Sequence, residues 1–334
     1  MIYTDIATAA VAFREQIDRA QRILLLTHVN PDGDALGSLL GAYHALRDSG
    51  KEPIALASSA LPSYCMGLPG VEAVHVYQRG DPLPEADLVW MLDTASLSRV
   101  GLIFDEHRAT LASRPLIITD HHVTNDGGGS VNLIDPSAAS TADLLFRLLR
   151  AMGLPVSPAA ATCLTVGVIT DTQSFQTSST TPQTLRTAAD LLETGADLRA
   201  LISAVYFSIP ESTMRLSALV LNAMRREGAL AWATVTRAQL ALTGASDEAS
   251  DDTITQLQRM AGVRVCVLFK ERADGTVKIS LRSVPGINVA AIALTWGGGG
   301  HTQAAGATLP MPLAEAFDAV LPLLRAALAE SATA

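Results

Sequence analysis

Aspartate and histidine side chains follow four separate apolar segments of this sequence. The four groups are His28/Asp32/Asp34, Asp93, Asp120/His121/His122 and Asp171. Carboxylate and imidazole donors together suit Mn²⁺ well, and they also suit Mg²⁺, Fe²⁺, Co²⁺ or Zn²⁺. Any one of these aspartates by itself would more often cap a helix or stabilise a turn. Because all four groups occur in the same setting, we interpret them as one metal-binding site.

The charge of this set indicates two cations. Carboxylates brought together without cations would repel one another, and several would be driven to protonate. About two divalent cations would neutralise about four ligating carboxylates. Two cations roughly 3.5–4 Å apart, bridged by an aspartate, lower the pKa of a shared water and bind phosphoryl oxygens. The residue types therefore predict metal-assisted hydrolysis of a phosphoester.

A parallel sheet would bring these groups together. The segments 23–26, 87–92 and 116–118 are short and apolar apart from Asp87, as is typical of parallel strands that are buried on both faces. In such sheets, ligands bind beyond the carboxyl ends of the strands. Asp171 instead follows the apolar segment 159–169, which reads as a buried helix. A carboxylate in such surroundings is costly unless it is paired or bound to a metal.

Strand and helix patterns alternate through the first part of the chain. The further strand candidates are residues 53–57, 74–76 and, as an extra edge strand, 131–134. The helix candidates are residues 9–20, 35–46, 140–152, 184–193 and 197–205. This alternation predicts an α/β fold with a doubly wound parallel sheet.

The last third of the chain has a different pattern. Its strand candidates are residues 229–236, 263–270 and 276–283, and its helix candidates are residues 252–260, 288–296 and 313–329. A hairpin signal at 273–275 joins two of the strands. We therefore expect a smaller α/β domain with a mixed sheet, and a cleft between the two domains. The expected bounds are 1–190 for the metal-binding catalytic domain, 191–212 for a helical linker and 213–334 for a substrate-binding domain.

Five motifs together resemble a known family. They are His28-x-x-Pro31-Asp32-Gly33-Asp34-Ala35-x-Gly37-Ser38, Asp93, Asp120-His121-His122, Thr170-Asp171-Thr172 and the glycine run before His301-x-x-Ala304-Ala305-Gly306. The first four resemble the motifs of the DHH phosphoesterase superfamily, in the same order. The last resembles the signature of the DHH-associated C-terminal domain. The two-domain layout is most similar to the NrnA-like branch, the nanoRNases that also act on 3′-phosphoadenosine 5′-phosphate (pAp).

The resemblance implies a role for each predicted metal ligand. His28, Asp32 and Asp93 would bind one divalent cation. Asp34, Asp93, His121 and Asp171 would bind the other, with Asp93 as the bridge. Mn²⁺ is the expected cation, with Mg²⁺ or Co²⁺ as alternatives. Asp93, Asp120 and His122 are the expected catalytic residues, in which Asp120 orients an imidazole and His122 faces the substrate phosphate.

A second set of residues is expected to bind substrate. The set comprises Arg282, Gly298, Gly299, Gly300 and His301. Successive glycines let backbone N–H groups approach an anion closely, and Arg282 could hold a phosphate with two hydrogen bonds. One departure from the family follows Asp171, because Gln173 and Gln176 stand where the family often has glycine and arginine. A phosphate contact from that arginine is therefore not expected here.

The resemblance implies a metal-dependent phosphoesterase that acts through a water activated by two cations. Its substrates would be short oligonucleotides, including nanoRNA and linear dinucleotides such as pApA or pGpG, which it would cleave to mononucleotides. It would also convert pAp to AMP. The alternatives are a cyclic di-AMP phosphodiesterase of the same family and a non-catalytic nucleotide-binding regulator. A dinucleotide-dependent dehydrogenase does not fit, since the loop after the first buried strand contains His28 and two acids in place of glycines.

Composition limits the partners and the compartment. The net charge of −9 argues against a groove for long duplex nucleic acid, which would normally show a basic excess. The three cysteines are scattered among apolar or small residues, as expected of buried thiols in a reducing cytoplasm. We find no signal-peptide pattern and no apolar run near the ~20 residues of a membrane helix. A cytoplasmic protein is expected, and the family suggests a homodimer.

Overall fold

The computed structural model describes the backbone of residues 1–333, and the side chains of these residues except 248, 250–252 and 332–333. Contacts divide the chain into two compact units, Met1–Ser208 and Ile209–Ala334. The domain bounds expected from the sequence, with a linker at 191–212, stay a prediction. Within the described residues, no helix has both the length and the apolar composition that crossing a bilayer requires.

Seven parallel strands form the sheet of the first unit. They are β1 (Ile2–Tyr3), β2 (Arg22–Leu26), β3 (Glu52–Ala57), β4 (His75–Val76), β5 (Leu88–Leu92), β6 (Leu116–Asp120) and β7 (Val131–Ile134). Their order is β1-β7-β6-β5-β2-β3-β4, and each adjacent pair is parallel. The predicted parallel sheet is confirmed. The prediction that β7 is the edge was wrong, because β1, which is too short to show a periodic pattern, pairs outside it.

Helices cover both faces of this sheet. They are α1 (Ile6–Arg19), α2 (Gly33–Asp48), α3 (Leu102–Ala112), α4 (Thr141–Ala151), α5 (Pro158–Asp171), α6 (Pro182–Glu193) and α7 (Leu198–Tyr206). Ile23 and Leu25 of β2 pack in the core that contains residues of α1, α2, α4 and α5. Leu24 and Leu26 pack on the opposite face, with Ile103 of α3. Burial on both faces explains why the strands are continuously apolar.

The second unit contains a mixed sheet of six strands. They are β8 (Arg225–Glu227), β9 (Leu230–Val235), β10 (Val265–Glu271), β11 (Val277–Ser283), β12 (Gly299–His301) and β13 (Ala304–Leu309), in the order β12-β13-β11-β10-β9-β8. Only β9 and β10 pair in parallel among the described residues. The predicted mixed sheet is confirmed. The glycine run before His301, where no strand was predicted, contributes the strand β12, which pairs with β13 in a hairpin.

Five helices cover the second sheet. They are α8 (Glu211–Asn222), α9 (Arg237–Thr243), α10 (Asp251–Gln258), α11 (Val289–Leu294) and α12 (Leu313–Thr333). Residues of α11 and α12 pack on one face, against the alternating residues Val277, Ile279 and Leu281 of β11. Residues of α8, α9 and α10 pack on the other face, over β9 and β10. The helices α3, α8 and α9 were not predicted from the sequence.

Candidate active site

Strand register places the predicted site residues of three strands at one level of the first sheet. Leu26 of β2 and Ile118 of β6 each pair with Met91 of β5. Two residues after these paired positions come His28, Asp93 and Asp120, which lie at or just beyond the ends of their strands. The three residues therefore share the carboxyl edge of the sheet, which is where ligands bind in doubly wound folds.

The donor atoms of the predicted ligands lie close together. Nε2 of His28 is 3.5 Å from Oδ2 of Asp93 and 4.0 Å from Oδ1 of Asp32. Nε2 of His121 is 3.7 Å from Oδ1 of Asp93. It also lies 3.8 Å from Oδ2 of Asp34 and 3.4 Å from Oδ2 of Asp171. Most of these distances are long for hydrogen bonds and suit donors that surround a shared cation.

Asp93 connects two clusters of donors. The first cluster contains His28, Asp32 and Asp93, and the second contains Asp34, Asp93 and His121; Asp93 also lies in a third group with Asp120 and His122, which contact each other directly. In each cluster, one donor atom per residue lies within 4.8 Å of the others. A carboxylate has two oxygens, so Asp93 can serve both clusters. The arrangement fits two cations with a bridging aspartate.

Two of these carboxylates have raised pKa values, because burial and neighbouring negative charges disfavour their ionised form. Burial and the charges of Asp93 and Asp171 raise the pKa of Asp34 well above its usual value. Burial and the charges of Asp32 and Asp93 raise the pKa of Asp171 in the same way. Burial also acts against the Asp93 carboxylate, but the hydrogen bond with His28 and the nearby imidazoles hold its pKa well below the usual range. Divalent cations would remove the cost at Asp34 and Asp171.

The first turn of α4 holds two of the aspartates. The backbone N–H of Thr141 donates to Oδ2 of Asp34 at 2.7 Å, and that of Ala142 donates to Oδ1 at 2.9 Å. The hydroxyl of Thr141 donates to Oδ1 of Asp93 at 2.9 Å. Ser140 caps the helix by accepting from the N–H of Asp143. The contact of Thr141 with the site was not predicted from the sequence.

Glycines allow α2 and α5 to pack closely beside the site. Gly33, Gly37 and Gly41 are spaced by four residues and lie on one side of α2. A Cβ on Gly37 would lie 2.5 Å from the carbonyl oxygen of Cys163. A Cβ on Gly167 of α5 would lie 2.6 Å from Oδ1 of Asp34. This close approach brings the start of α2, with Asp34, to the end of α5, with Asp171.

Asp120 orients His122 rather than either of the predicted metal-binding histidines. Nδ1 of His122 is 2.7 Å from Oδ1 of Asp120. The other oxygen of Asp120 accepts from the Asn125 side chain at 2.6 Å, and Asn125 also donates to the Thr94 carbonyl. Burial opposes protonation of His122, but the hydrogen bond to Asp120 and the charge of Asp93 raise its pKa to about 10. Asn125 was not predicted as a site residue, although it lies in the short segment that follows Asp120.

The predicted substrate residues of the second unit share one face of its sheet. Arg282 of β11 and His301 of β12 both pair with Ala304 of β13. Partners directly across adjacent strands point to the same face. In the next row on this face, Gly299 pairs with Gly306. Ala304 thus lies between Arg282 and His301 on this face, with Gly299 and Gly306 in the next row.

The three predicted glycines differ in what surrounds them. A Cβ on Gly298 would lie 2.2 Å from the carbonyl oxygen of Gly306. Gly300 has a φ of +135°, and its Cβ would lie 2.4 Å from the carbonyl oxygen of Ala304. A Cβ on Gly299 would meet no described atom within 4 Å. The hairpin therefore requires Gly298 and Gly300, while the space beside Gly299 is open to a ligand.

Comparison with known proteins identifies the family. Residues 22–168 match the DHH family N-terminal domain, and residues 235–330 match the DHHA1 domain. A bifunctional oligoribonuclease and PAP phosphatase, NrnA, of Thermus thermophilus is 37% identical over 91% of this chain and 89% of its own length. The chain belongs to the DHH family. The family expected from the five motifs is confirmed.

Two further proteins are similar to this DHH-family chain. The crystal structure of an exopolyphosphatase-related protein from Bacteroides fragilis has a TM-score of 0.87 and 28% identity, over 97% of this chain and 96% of its own. A cyclic-di-AMP phosphodiesterase, GdpP, of Geobacillus thermodenitrificans is 28% identical over 89% of this chain but only 46% of its own length. The first supports the whole fold, and the second matches part of a longer protein.

The backbone after Asp171 departs from ordinary geometry in this DHH-family chain. Gln173, Ser174 and Phe175 have φ values of +48°, +58° and +67°, in the left-handed region that non-glycine residues rarely adopt. The hydroxyl of Thr172 accepts from the N–H of Phe175 at 2.9 Å and holds the turn. Gln173 therefore adopts a left-handed conformation without glycine's conformational freedom.

Proposed function

We propose that this chain is a metal-dependent phosphoesterase that cleaves short oligonucleotides to mononucleotides and converts pAp to AMP. The observation that carries the proposal is the pair of donor clusters that share Asp93. The raised pKa values of Asp34 and Asp171 support it, because these mutually repelling carboxylates need positive charge nearby. The name of the Thermus thermophilus relative, an oligoribonuclease and PAP phosphatase, supports the substrate class.

Two divalent cations, with Mn²⁺ as the proposed metal, would occupy the two clusters. His28, Asp32 and Asp93 would hold one cation. Asp34, Asp93, His121 and Asp171 would hold the other. When bound, such cations polarise phosphoryl oxygens and lower the pKa of a nearby water. Both imidazoles and carboxylates are accepted by Mn²⁺.

His122 supplies a proton donor that belongs to the protein. Its Nδ1 lies 2.7 Å from Oδ1 of Asp120, and this contact orients the ring so that Nε2 is the atom proposed to face the substrate. The hydrogen bond to Asp120 raises the pKa of His122 and so favours the protonated imidazole. We propose that Nε2 donates to a phosphoryl oxygen and stabilises the negative charge that develops there. Asn125 and Thr94 keep the Asp120 carboxylate in place for this role.

The second unit is proposed to bind the terminal nucleotide or phosphate. Arg282 and His301 can donate to phosphate oxygens from the same sheet face. The open space beside Gly299 lets an anion approach the backbone N–H groups of the edge strand β12. Short substrates would satisfy these few contacts without the basic groove that long nucleic acid needs.

A substrate panel tests the proposal. Purified protein with Mn²⁺, Mg²⁺ or Co²⁺ would be given pAp, linear di- to pentanucleotides, and cyclic dinucleotides under identical conditions. We expect turnover of pAp and of the linear dinucleotides, and loss of both with the Asp93→Asn variant. Absence of turnover of every substrate by the cation-loaded wild-type protein would refute the proposal.

A cyclic di-AMP phosphodiesterase is the second candidate. The similarity to GdpP favours it, although the chain spans less than half of that protein. Hydrolysis of cyclic di-AMP that is faster than cleavage of linear pApA would support this candidate. A regulator that only binds nucleotide would return it uncleaved after tight binding, which the same panel would reveal.

A further inference from the structure

A cavity outside the predicted metal site opens at the carboxyl ends of β3 and β4. Its volume is about 850 Å³, and all of its lining belongs to the first unit. The walls are largely apolar and include Leu61, Met66, Val76 and Leu102. No residue of the proposed metal or substrate sites lines this cavity.

Register places the cavity directly beside the metal-binding edge. Leu56 of β3 pairs with Leu26 of β2 and with His75 of β4. Two positions beyond these residues are His28, Ser58 and Tyr77. Ser58 and Tyr77 line the cavity, and adjacent strands lie about 4.8 Å apart. The part of the cavity at Ser58 therefore lies roughly one strand spacing from His28, and the part at Tyr77 lies roughly two. A nucleoside can span this distance.

A hydrogen bond joins the cavity wall to the metal-binding loop. The N–H of Asn30 donates to the hydroxyl of Ser59 at 2.6 Å. Asn30 lies between His28 and Asp32 and has a φ of +54°. Ser59 is the acceptor in this bond, so its own hydroxyl proton can be donated into the cavity. The cavity and the metal-binding loop thus keep a fixed spacing.

The chemistry of the lining suits an uncharged flat group. Glu72 and Arg79 are exposed and of opposite charge, and Arg79 already pairs with Glu106 at 3.3 Å. A phosphate would therefore find no net positive charge here. Apolar walls favour stacking or packing of a ring. The side-chain amide of Gln78, which also lines the cavity, offers the donor and acceptor groups that recognise base edges.

We propose that this cavity binds one nucleobase of the substrate, next to the phosphodiester that the cations of the two donor clusters would hold. The proposal rests on the proposed function and extends it, because it assigns the base on one side of the cleaved bond to the first unit. It makes a linear dinucleotide a better substrate than a phosphoester that lacks a base at that position.

Two changes test the proposed base site: substrates that lack one base, and a variant in which a large side chain blocks the cavity. The substrates are pApA and two analogues, each with one adenine replaced by hydrogen on the sugar. The variant Ala60→Trp places a large ring at an exposed lining position. Wild-type protein should lose roughly tenfold in kcat/KM when the relevant base is removed, as expected when one ring loses its apolar contacts. Ala60→Trp should lose roughly tenfold on pApA and show no further loss on that analogue.

Matched variants control for folding and for nonspecific effects. Ala73→Trp adds the same ring at an exposed alanine that does not line the cavity, and it should behave as wild type. Met66→Ala shortens a lining side chain that is 57% exposed, so it should fold and reduce discrimination between pApA and the analogue. Unchanged thermal midpoints would show that the variants are folded.

The outcomes separate this proposal from the function on which it rests. Equal kcat/KM for pApA and both analogues in the wild type would overturn the subsite while leaving the phosphoesterase intact. Full retention of the discrimination in both Ala60→Trp and Met66→Ala would also overturn it. Failure of the wild type to cleave pApA at all would refute the proposed function, and the subsite with it.

Discussion

Asp93 shows how its surroundings decide the role of a single residue. It is almost fully buried and adopts a φ of +53°, which is unusual for a residue other than glycine. Its oxygens lie 3.5–3.7 Å from nitrogens of His28, His121 and His122. These imidazoles keep its pKa low, whereas Asp34 and Asp171 have raised values. Backbone strain at such a residue is typical of functional sites.

The Thr141 hydroxyl provides the first prediction at the residue scale. Thr141→Val keeps the shape of the side chain but removes the donor to Oδ1 of Asp93. Loss of a residue that orients a metal ligand typically lowers metal affinity or activity about 10–100-fold. We expect a decrease of about that size in Mn²⁺ affinity, measured by calorimetric titration. Thr162→Val, which removes a hydroxyl on α5 that donates to the Pro158 carbonyl away from the predicted ligands, should bind Mn²⁺ as the wild type does.

Gln173 provides the second prediction. A left-handed φ costs a residue with a side chain about 1 kcal/mol relative to glycine. Gln173→Gly should therefore raise the free energy of unfolding by about 1 kcal/mol above that of Gln173→Ala, measured with urea. The alanine variant is the matched control, because it removes the same side chain without the backbone freedom. Equal stability of the two variants would contradict the strain inferred at Gln173.

At the scale of elements, the α2–α5 contact sets the geometry of the site. The glycines of α2 lower helix propensity, yet they sit where α5 approaches. At Gly37 the neighbouring atoms belong to the backbone of α5, and at Gly41 they belong to the flexible side chain of Leu164. Backbone atoms cannot move aside unless the whole helix shifts. The two positions should therefore differ in how they tolerate a methyl group.

Substitution by alanine tests this contact. Gly37→Ala should lower the free energy of unfolding by about 1–3 kcal/mol and also weaken Mn²⁺ binding, since α5 must move away with Asp171. Gly41→Ala should cost less, because Leu164 can change its rotamer. Urea unfolding and Mn²⁺ titration would be compared for both variants. A larger loss at Gly41 than at Gly37 would contradict this account.

The hairpin of β12 and β13 allows a second test at this scale. Gly298→Ala should destabilise the protein, because its methyl group would meet the Gly306 carbonyl oxygen. Gly299→Ala should leave the thermal midpoint within about 1 °C of wild type, since the space is open. If Gly299 approaches a substrate anion, the same variant should raise the KM for pApA severalfold. An unchanged KM would remove Gly299 from the substrate site.

At the scale of the whole molecule, the carboxylates that would bind cations also lower the stability of the cation-free fold. Burying several like charges destabilises the fold in the absence of cations, and this cost is concentrated at Asp34 and Asp171. A ligand that binds only the folded state stabilises it, by about 2.7 kcal/mol at a hundred times its Kd. Divalent cations should therefore contribute to the stability of the first unit.

Thermal unfolding with and without cations tests this directly. Excess Mn²⁺ should raise the midpoint of the wild-type protein by several degrees, and a chelator should reverse the change. Asp171→Asn should raise the midpoint in the absence of cations, because one buried like charge is removed, and should reduce the response to Mn²⁺. A wild-type midpoint that is insensitive to Mn²⁺, Mg²⁺ and Co²⁺ would contradict cation binding at these residues.

The sequence alone determined the family, the α/β class and the set of candidate ligands. These depend on residue types at short spacing, such as His28 to Asp34, and on hydrophobic periods within single strands and helices. Local patterns of this kind are visible without knowing what packs against them. The alternation of Val277, Ile279 and Leu281 on β11 is an example, since its buried face could be read directly.

Only the tertiary structure decided which groups support the site. Thr141 and Asp34 are 107 positions apart, and nothing near either residue indicates that one bonds the other. The choice of His122 rather than His121 as the partner of Asp120 depends on rotamers and on Asn125. The β12–β13 hairpin and the pairing of β1 with β7 likewise depend on distant chain segments. Contacts of this kind arise only when separate elements pack, so they leave no mark in the local sequence pattern.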